Sequence, residues 1–236
     1  MHNLLYLKKM PETKSLFNRV AEHYDLLNTL LSFGTDKSWR RRLAEEIRSS
    51  NLVLDIATGT AEVAIEVVKR WNECFAIGID PSKQMLDLAH TKLETAGVKK
   101  KIDLVEGVAE SLPFKDGTYD AITIAFGIRN TVDPLTSLKE MNRVLKPGGR
   151  VGILEFAVPR NRLFATLYMS YIRNMFPFLG SFYGKRNEYK YLVDSIPMFP
   201  QRESFIKLME EAGFTVKKPI ELTMGTVIIY VGVKED

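Results

Sequence analysis

Two carboxylates stand where short apolar runs end. Asp55 lies within residues 52–56, ahead of a turn of small residues at 57–61, and Asp80 closes the apolar run 75–79. Beyond the turn, Val63, Ala64, Val67 and Val68 recur at helical spacing. A strand, a tight turn and a helix form a nucleotide grip, because small side chains admit a ligand to the backbone and the helix start offers unpaired N–H groups. A dinucleotide fingerprint would carry three glycines under a pyrophosphate. Here only Gly59 is a glycine, and Asp55 would repel phosphate. Asp55 suits a cation instead, such as the amino-acid ammonium of S-adenosylmethionine (SAM), bound directly or through water. Asp80 follows Gly59 by about 20 residues, the distance at which an acid accepts bonds from two ribose hydroxyls. A turn with a purely structural role is the competing reading.

These residues need a scaffold, and the hydrophobic pattern supplies one. Leu16, Val20, Tyr24 and Leu27, then Trp39, Leu43 and Ile47, fall at steps of three or four, so residues 12–50 read as a helical cap broken near Gly34. His23, Tyr24, Asp25 and Asn28 crowd polar groups onto it, either as a capping network or as a cover for the reactants. From residue 52 strands and helices alternate, which implies a mostly parallel sheet covered on both faces. Strands are expected at 52–56, 75–79, 102–106, 119–125 and 150–156, with helices starting at Pro81-Ser82 and Pro134 and the run 146–149 acting as punctuation. Residues 163–191 break the alternation with aromatic side chains, among them Tyr168, Tyr171 and Tyr189, interspersed with Arg162, Arg173, Lys185, Arg186 and Lys190. Inserted after strand five of an open sheet, this segment reads as a substrate lid or as an amphipathic helix on the core. Residues 204–212 read as a helix, and 216–222 with 226–233 as a closing antiparallel hairpin.

At 236 residues the chain can bury one large core. The expected organisation is a single domain, 1–236: cap 12–50, cofactor core 51–158, lid 159–200, C-terminal helix and hairpin 201–236. Its 45% hydrophobic and 26% charged composition is that of a soluble protein, and a net charge of +4 without a concentrated basic tract argues against nucleic acid. The lone Cys74 cannot form an internal disulfide, which fits a reducing cytoplasm. The apolar run 4–7 is short for a signal peptide, and none approaches the roughly 20 residues needed to span a bilayer.

The motifs at 54–60, 109–114, 126–130 (Phe-Gly-Ile-Arg-Asn), 143–149 and 189–200 together resemble the SAM-dependent C-methyltransferases of menaquinone and ubiquinone biosynthesis, over roughly residues 15–232. The resemblance implies an α/β fold, the Rossmann-like seven-stranded class I SAM-dependent methyltransferase fold, with an N-terminal helical cap and a lid after strand five. It implies methylation at a ring carbon of a polyprenylated quinol: demethylmenaquinol first, with the ubiquinone-pathway benzoquinol beside it. Cofactor-binding candidates are Asp55, Ala57, Gly59, Thr60, Asp80, Met85, Val108, Ala109 and Ala125. Two positions depart from the family. Ala61 replaces a glycine, and Val108 stands where an Asp or Asn usually bonds the adenine amino group.

A ring carbon is nucleophilic only when an adjacent hydroxyl carries negative charge, so the enzyme must align, exclude water and activate the acceptor. Arg129, always charged and able to fork two bonds, is expected to stabilise the phenolate. Asn130 is expected to bond the second quinol oxygen, and Tyr24 or His23 to take the proton. Phe126, Arg129, Tyr168, Tyr171 and Tyr189 are the expected substrate contacts. No cluster at metal-ligand spacing is present in the sequence, so a metal-independent reaction is expected. The expected location is cytoplasmic, peripheral on the inner face of the membrane where the polyprenyl quinol lives, and a homodimer is one expectation for the assembly. Methylation of another small phenol is the rival reading.

Overall fold

The computed structural model describes residues 34–48 and 50–235 and, ahead of them, Ser15, Leu16, Asn18, Arg19, Ala21, Thr29 and Ser32. His23 and Tyr24 lie outside the described residues. Helix α1 (Thr35–Glu46) leads into β1 (Leu52–Ile56), α2 (Glu62–Arg70), β2 (Phe75–Asp80), α3 (Lys83–Thr95), β3 (Ile102–Glu106) and β4 (Tyr119–Ala125). Then come α4 (Pro134–Val144), β5 (Leu145–Phe156), α5 (Arg162–Phe182), α6 (Arg186–Asp194), α7 (Glu203–Glu211), β6 (Phe214–Val216), β7 (Ile220–Leu222) and β8 (Val227–Lys234).

The local chemistry explains the boundaries. Ser82 caps α3 by accepting from the Met85 N–H at 3.2 Å, and Asp133 caps α4 ahead of Pro134. The sheet order is β3-β2-β1-β4-β5-β8-β6. The first five strands pair in parallel and β8 runs antiparallel to β5. Side chains alternate across β1: Val53 packs with α1, α2 and α3 on one face, while Leu54 and Ile56 join α4 and α7 on the other. Helix α1 sits close against β5, where a Cβ on Gly152 would fall 2.8 Å from Leu43 Cδ1. A third cluster joins Leu16 to Met169, Ile172, Phe176, Leu192 and Val193 of α5 and α6.

The structure differs from the sequence expectation in two places. Strand β5 starts at Leu145, with residues 146–149 carried inside it as an irregularity where the β4 register shifts between Tyr119 and Ala121. At the far edge, the run read as one strand is two: β6 pairs with Val233 and its neighbours, and β7 with residues 227–229 of the same β8. Pro219 stands between them and brings no N–H to a ladder. Eight strands therefore fill seven positions, and only β7 with β8 forms the expected hairpin.

The chain order reverses direction at β1, which has β2 on one side and β4 on the other. Ligands of open α/β sheets bind beyond the carboxyl ends of strands at such a point. Asp55 and Ala125 stand there, at the ends of β1 and β4.

Candidate active site

A cavity of about 410 Å³ opens over these strand ends, lined by residues 55–60, Asp80, Met85, Val108, Ala109, Ala125, Phe126 and Asn130. Every sequence-expected cofactor residue borders it. The turn after β1 is tightly wound, with Ala57, Gly59 and Ala61 at φ 50, 56 and 65°. For the two alanines that left-handed backbone costs roughly 1 kcal/mol each. The strain at Ala61 thus lies in its backbone conformation. Beside Gly59 the space is open, and a Cβ there would meet nothing within 4 Å.

Asp55 is buried, and its carboxylate accepts from Thr58 Oγ1 at 2.6 Å and Thr123 Oγ1 at 2.7 Å. Burial pushes its pKa up to about 6, against those two hydroxyls. Asp80 ties the turn to β2: its carboxylate accepts from the Gly59 N–H at 2.9 Å and the Ser82 N–H at 2.8 Å. Lys92 of α3 clamps the turn's far side through Thr60 Oγ1 at 3.0 Å and Glu62 at 2.5 Å. Asn130 donates Nδ2 to the Phe126 carbonyl at 3.1 Å, and its buried Oδ1 has no hydrogen-bond partner among the described residues. Two acids, one orphaned acceptor and an open backbone cradle fit a cationic nucleoside such as SAM. Val108 brings only carbon to this cavity, beside Ala109.

A second cavity, about 350 Å³, adjoins the first and shares Arg40 and Phe126 with it. Its wall is aromatic: Phe126 stacks on Phe156 at 4.3 Å, and Trp39 meets both edge-on at 6.2 and 6.3 Å. Tyr168 and Tyr171 reach it from α5, and burial raises the Tyr168 phenol above its ordinary value. Tyr189 does not reach it. Helix α6 turns Tyr189 inward against Phe176 and Gly180, making it a core residue of the lid.

Arg129 stands behind the second cavity's wall, its guanidinium 5.4 Å over the Phe156 ring. It borders neither cavity but lines a separate cleft with Tyr191 and Ser195. Its Nη1 donates to Glu155 Oε1 at 2.5 Å and to the Phe126 carbonyl at 2.8 Å, and its Nε to Ser195 Oγ at 3.3 Å. Both partners of the ion pair are almost fully buried. Burial raises the Glu155 carboxyl against the pull of Arg129. A buried cation needs a buried anion, so this guanidinium is committed to holding the site together. Sequence reasoning missed Asp36 and Arg40, both buried and both on the second cavity's wall. The signal was available: Asp36, Arg40, Leu43 and Ile47 share one stripe at steps of four, three and four. Among the described residues no group of three or more His, Cys, Asp or Glu could hold a metal ion.

Comparisons with known proteins agree with this arrangement. The ubiE/COQ5 methyltransferase family profile matches residues 7–234. A ubiquinone/menaquinone biosynthesis C-methyltransferase UbiE of Geotalea uraniireducens is 41% identical over 230 residues, 96% of this chain and 98% of that protein. A demethylmenaquinone methyltransferase of Thermus thermophilus is 42% identical over 221 residues, 92% of this chain and 99% of that one. Among solved structures, a SAM-dependent methyltransferase of Thermotoga maritima superposes with TM-score 0.67 at 21% identity, covering 94% of this chain and 100% of that chain. The cyclase SpnF superposes at 0.69 with 16% identity over 94% of each chain, so the fold alone does not fix the chemistry.

Two expectations follow from the geometry. Because the native pKa of Asp55 lies above the unfolded 3.8, its contribution to stability is present below that value and lost as pH rises through about 6. The ionised group is then a cost at neutral pH that a bound ammonium offsets. Calorimetry should show SAM affinity level above about pH 7 and weakening as pH falls through about 6, with Asp55→Asn weaker and flatter; a flat wild-type profile removes Asp55 from the ammonium site. Arg129→Ala, which leaves Glu155 buried and uncompensated, should cost about 3–5 kcal/mol in urea unfolding, and the double replacement Arg129→Met/Glu155→Met should recover most of it. Equal losses in the single and double variants would show that the pair is not coupled.

Proposed function

The chain belongs to the ubiE/COQ5 methyltransferase family, and from that premise we propose that it moves a methyl group from SAM to a ring carbon of a polyprenylated quinol, demethylmenaquinol to menaquinol first and the ubiquinone-pathway benzoquinol second. The observation that carries the reading is the pair of adjoining cavities. One is lined by acidic side chains, the other is aromatic and large enough for a quinol ring, and they meet at Phe126 and Arg40. When bound, SAM supplies an activated methyl group on a cationic sulfur.

The chain's own residues divide the remaining work. Asp55 holds the ammonium end and Asp80 the ribose, with Ala57, Gly59 and Thr60 giving backbone approach and Met85, Val108, Ala109 and Ala125 packing around the nucleoside. Asn130 presents its Oδ1 as an acceptor for a quinol hydroxyl, since its Nδ2 is occupied by the Phe126 carbonyl. Phe126, Tyr168 and Tyr171 enclose the ring and exclude water. Arg129 acts as a positioning residue, fixing the Phe126–Asn130 segment against β5 and α6. His23 and Tyr24 stay candidates for proton transfer.

Residues 159–200 form the lid in this reading, and α5 gives it a membrane-facing side. No helix among the described residues is long and apolar enough to cross a membrane. Yet Leu163, Leu167, Phe178 and Phe182 are exposed along α5, with Arg173, Arg186 and Lys190 around one cleft at its C-terminal half. That pairing suits a peripheral seat on an anionic bilayer, from which the quinol's isoprenoid tail enters the aromatic cavity.

Labelled SAM incubated with reduced, short-tailed demethylmenaquinol and, separately, with the benzoquinol precursor should give product methylated at one ring carbon. SAM binding without methylation of either quinol would overturn the acceptor assignment. The protein should also sediment with phosphatidylglycerol-containing vesicles and lose that association when Arg173, Arg186 and Lys190 are changed to Glu; equal sedimentation of both proteins would remove the membrane seat.

A further inference from the structure

The ion pair of Asp36 and Arg40 has no part in the roles assigned above. On a helix surface such an i,i+4 pair is worth a few tenths of a kcal/mol. Buried, it bears a desolvation cost that packed apolar side chains would avoid. Here both side chains are only 6% exposed, in a wall otherwise built of aromatic and aliphatic groups with a few hydroxyls. Asp36 is the only carboxylate and Arg40 the only cation among the described residues on that wall. Arg40 also borders the cofactor cavity, with its guanidinium 5.9 Å over the Phe126 ring.

The neighbouring acids are otherwise engaged. Glu155 accepts from Arg129 and from the Phe156 N–H at 2.8 Å, and Asp55 from two threonines on the cofactor side. Asp36 accepts from Arg40, from Ser32 Oγ at 3.1 Å and from Thr29 Oγ1 at 3.4 Å. A carboxylate has about four acceptor sites. Counted over the described residues, three are taken and one remains for a group entering the cavity.

We propose that Asp36 is the proton acceptor for the quinol hydroxyl and that Arg40 holds the phenolate that results. The proposal rests on the quinol reading above. The hydroxyl proton passes to an Asp36 oxygen. The electron-rich ring carbon forms its new C–C bond as the carbon–sulfur bond of the sulfonium breaks, leaving a neutral thioether. The hydrogen first carried by that carbon then departs as a proton and restores the aromatic ring. One proton is released per turnover, and Asp36 returns its own to the product oxygen. Among the described residues, Arg40 on the same helix, Tyr168 and Tyr171 across the cavity on α5, and the hydroxyls of Thr29, Ser32, Thr35, Thr223 and Thr226 are the ionisable and polar groups on this wall or bonded to Asp36.

The test uses the full chain at saturating SAM with reduced, short-tailed demethylmenaquinol. Asp36→Asn is expected to lower kcat by about 10²–10⁴-fold. Its SAM affinity by calorimetry and its quinol affinity by quenching of Trp39 emission should stay within about threefold of wild type. Asp36→Glu, which keeps the carboxylate, should lose less than about tenfold in kcat. A rate for Asp36→Asn within about threefold of wild type overturns the proposal, as does a loss of SAM affinity parallel to the loss of rate. Should Asp36→Asn fail to fold, Asp36→Ser is assayed in its place, and a rate within about threefold of wild type overturns the proposal. Quinol that quenches Trp39 in wild type yet goes unmethylated refutes the acceptor reading itself, and is distinguished by that quenching.

Discussion

The burial of Glu155 at the end of β5 is the constraint on which the site depends. Its carboxylate cannot stay charged in the core without a cation, and Arg129 is the cation supplied. Once Arg129 is drawn in, its remaining donors capture the Phe126 carbonyl and Ser195 of the lid. One ion pair thereby joins β5, the segment after β4 and the lid. Phe126, held at φ 56°, becomes the partition between the two cavities, and Asn130 is turned with its oxygen unpaired. Strain at Phe126 persists because the pair and the Leu154 carbonyl, which accepts from the Phe126 N–H at 2.8 Å, over-determine that backbone.

Electrostatics then divides the two chambers. The cofactor side carries anionic charge that burial has made costly, so a cation is welcomed there and a phosphate is not. The acceptor side is walled by rings, with a single compensated ion pair between them. A flat aromatic alcohol with a hydrocarbon tail matches that wall far better than a charged metabolite does, because its ring and tail leave few polar groups unsatisfied.

Much of this was legible in the sequence. The alternation of strands and helices, and Asp55 and Asp80 at the ends of apolar runs, followed from period and spacing, while Met85, Val108, Ala109 and Ala125 came with the family resemblance. The strand split at Pro219 was legible in principle, since a proline sat in the run. Direction was not legible: Arg129, placed after strand four, turns to Glu155 on the next strand, and Tyr189 of the aromatic segment turns to Phe176 and Gly180. Asp36 and Arg40 were overlooked because charges at a helix start are usually solvated. Only their place on the same stripe as Leu43 and Ile47 marked them as buried.

The divided outer edge of the sheet has a bearing on how the molecule behaves in a crowd. An uninterrupted edge strand offers a ladder of free backbone groups to which another chain can add. Here that edge is two three-residue strands separated by a proline, and the opposite edge, β3, carries the charges Asp103 and Glu106. Neither border can template more than a few residues of foreign β-structure. At high local concentration, both borders are thereby guarded against fibrillar self-association.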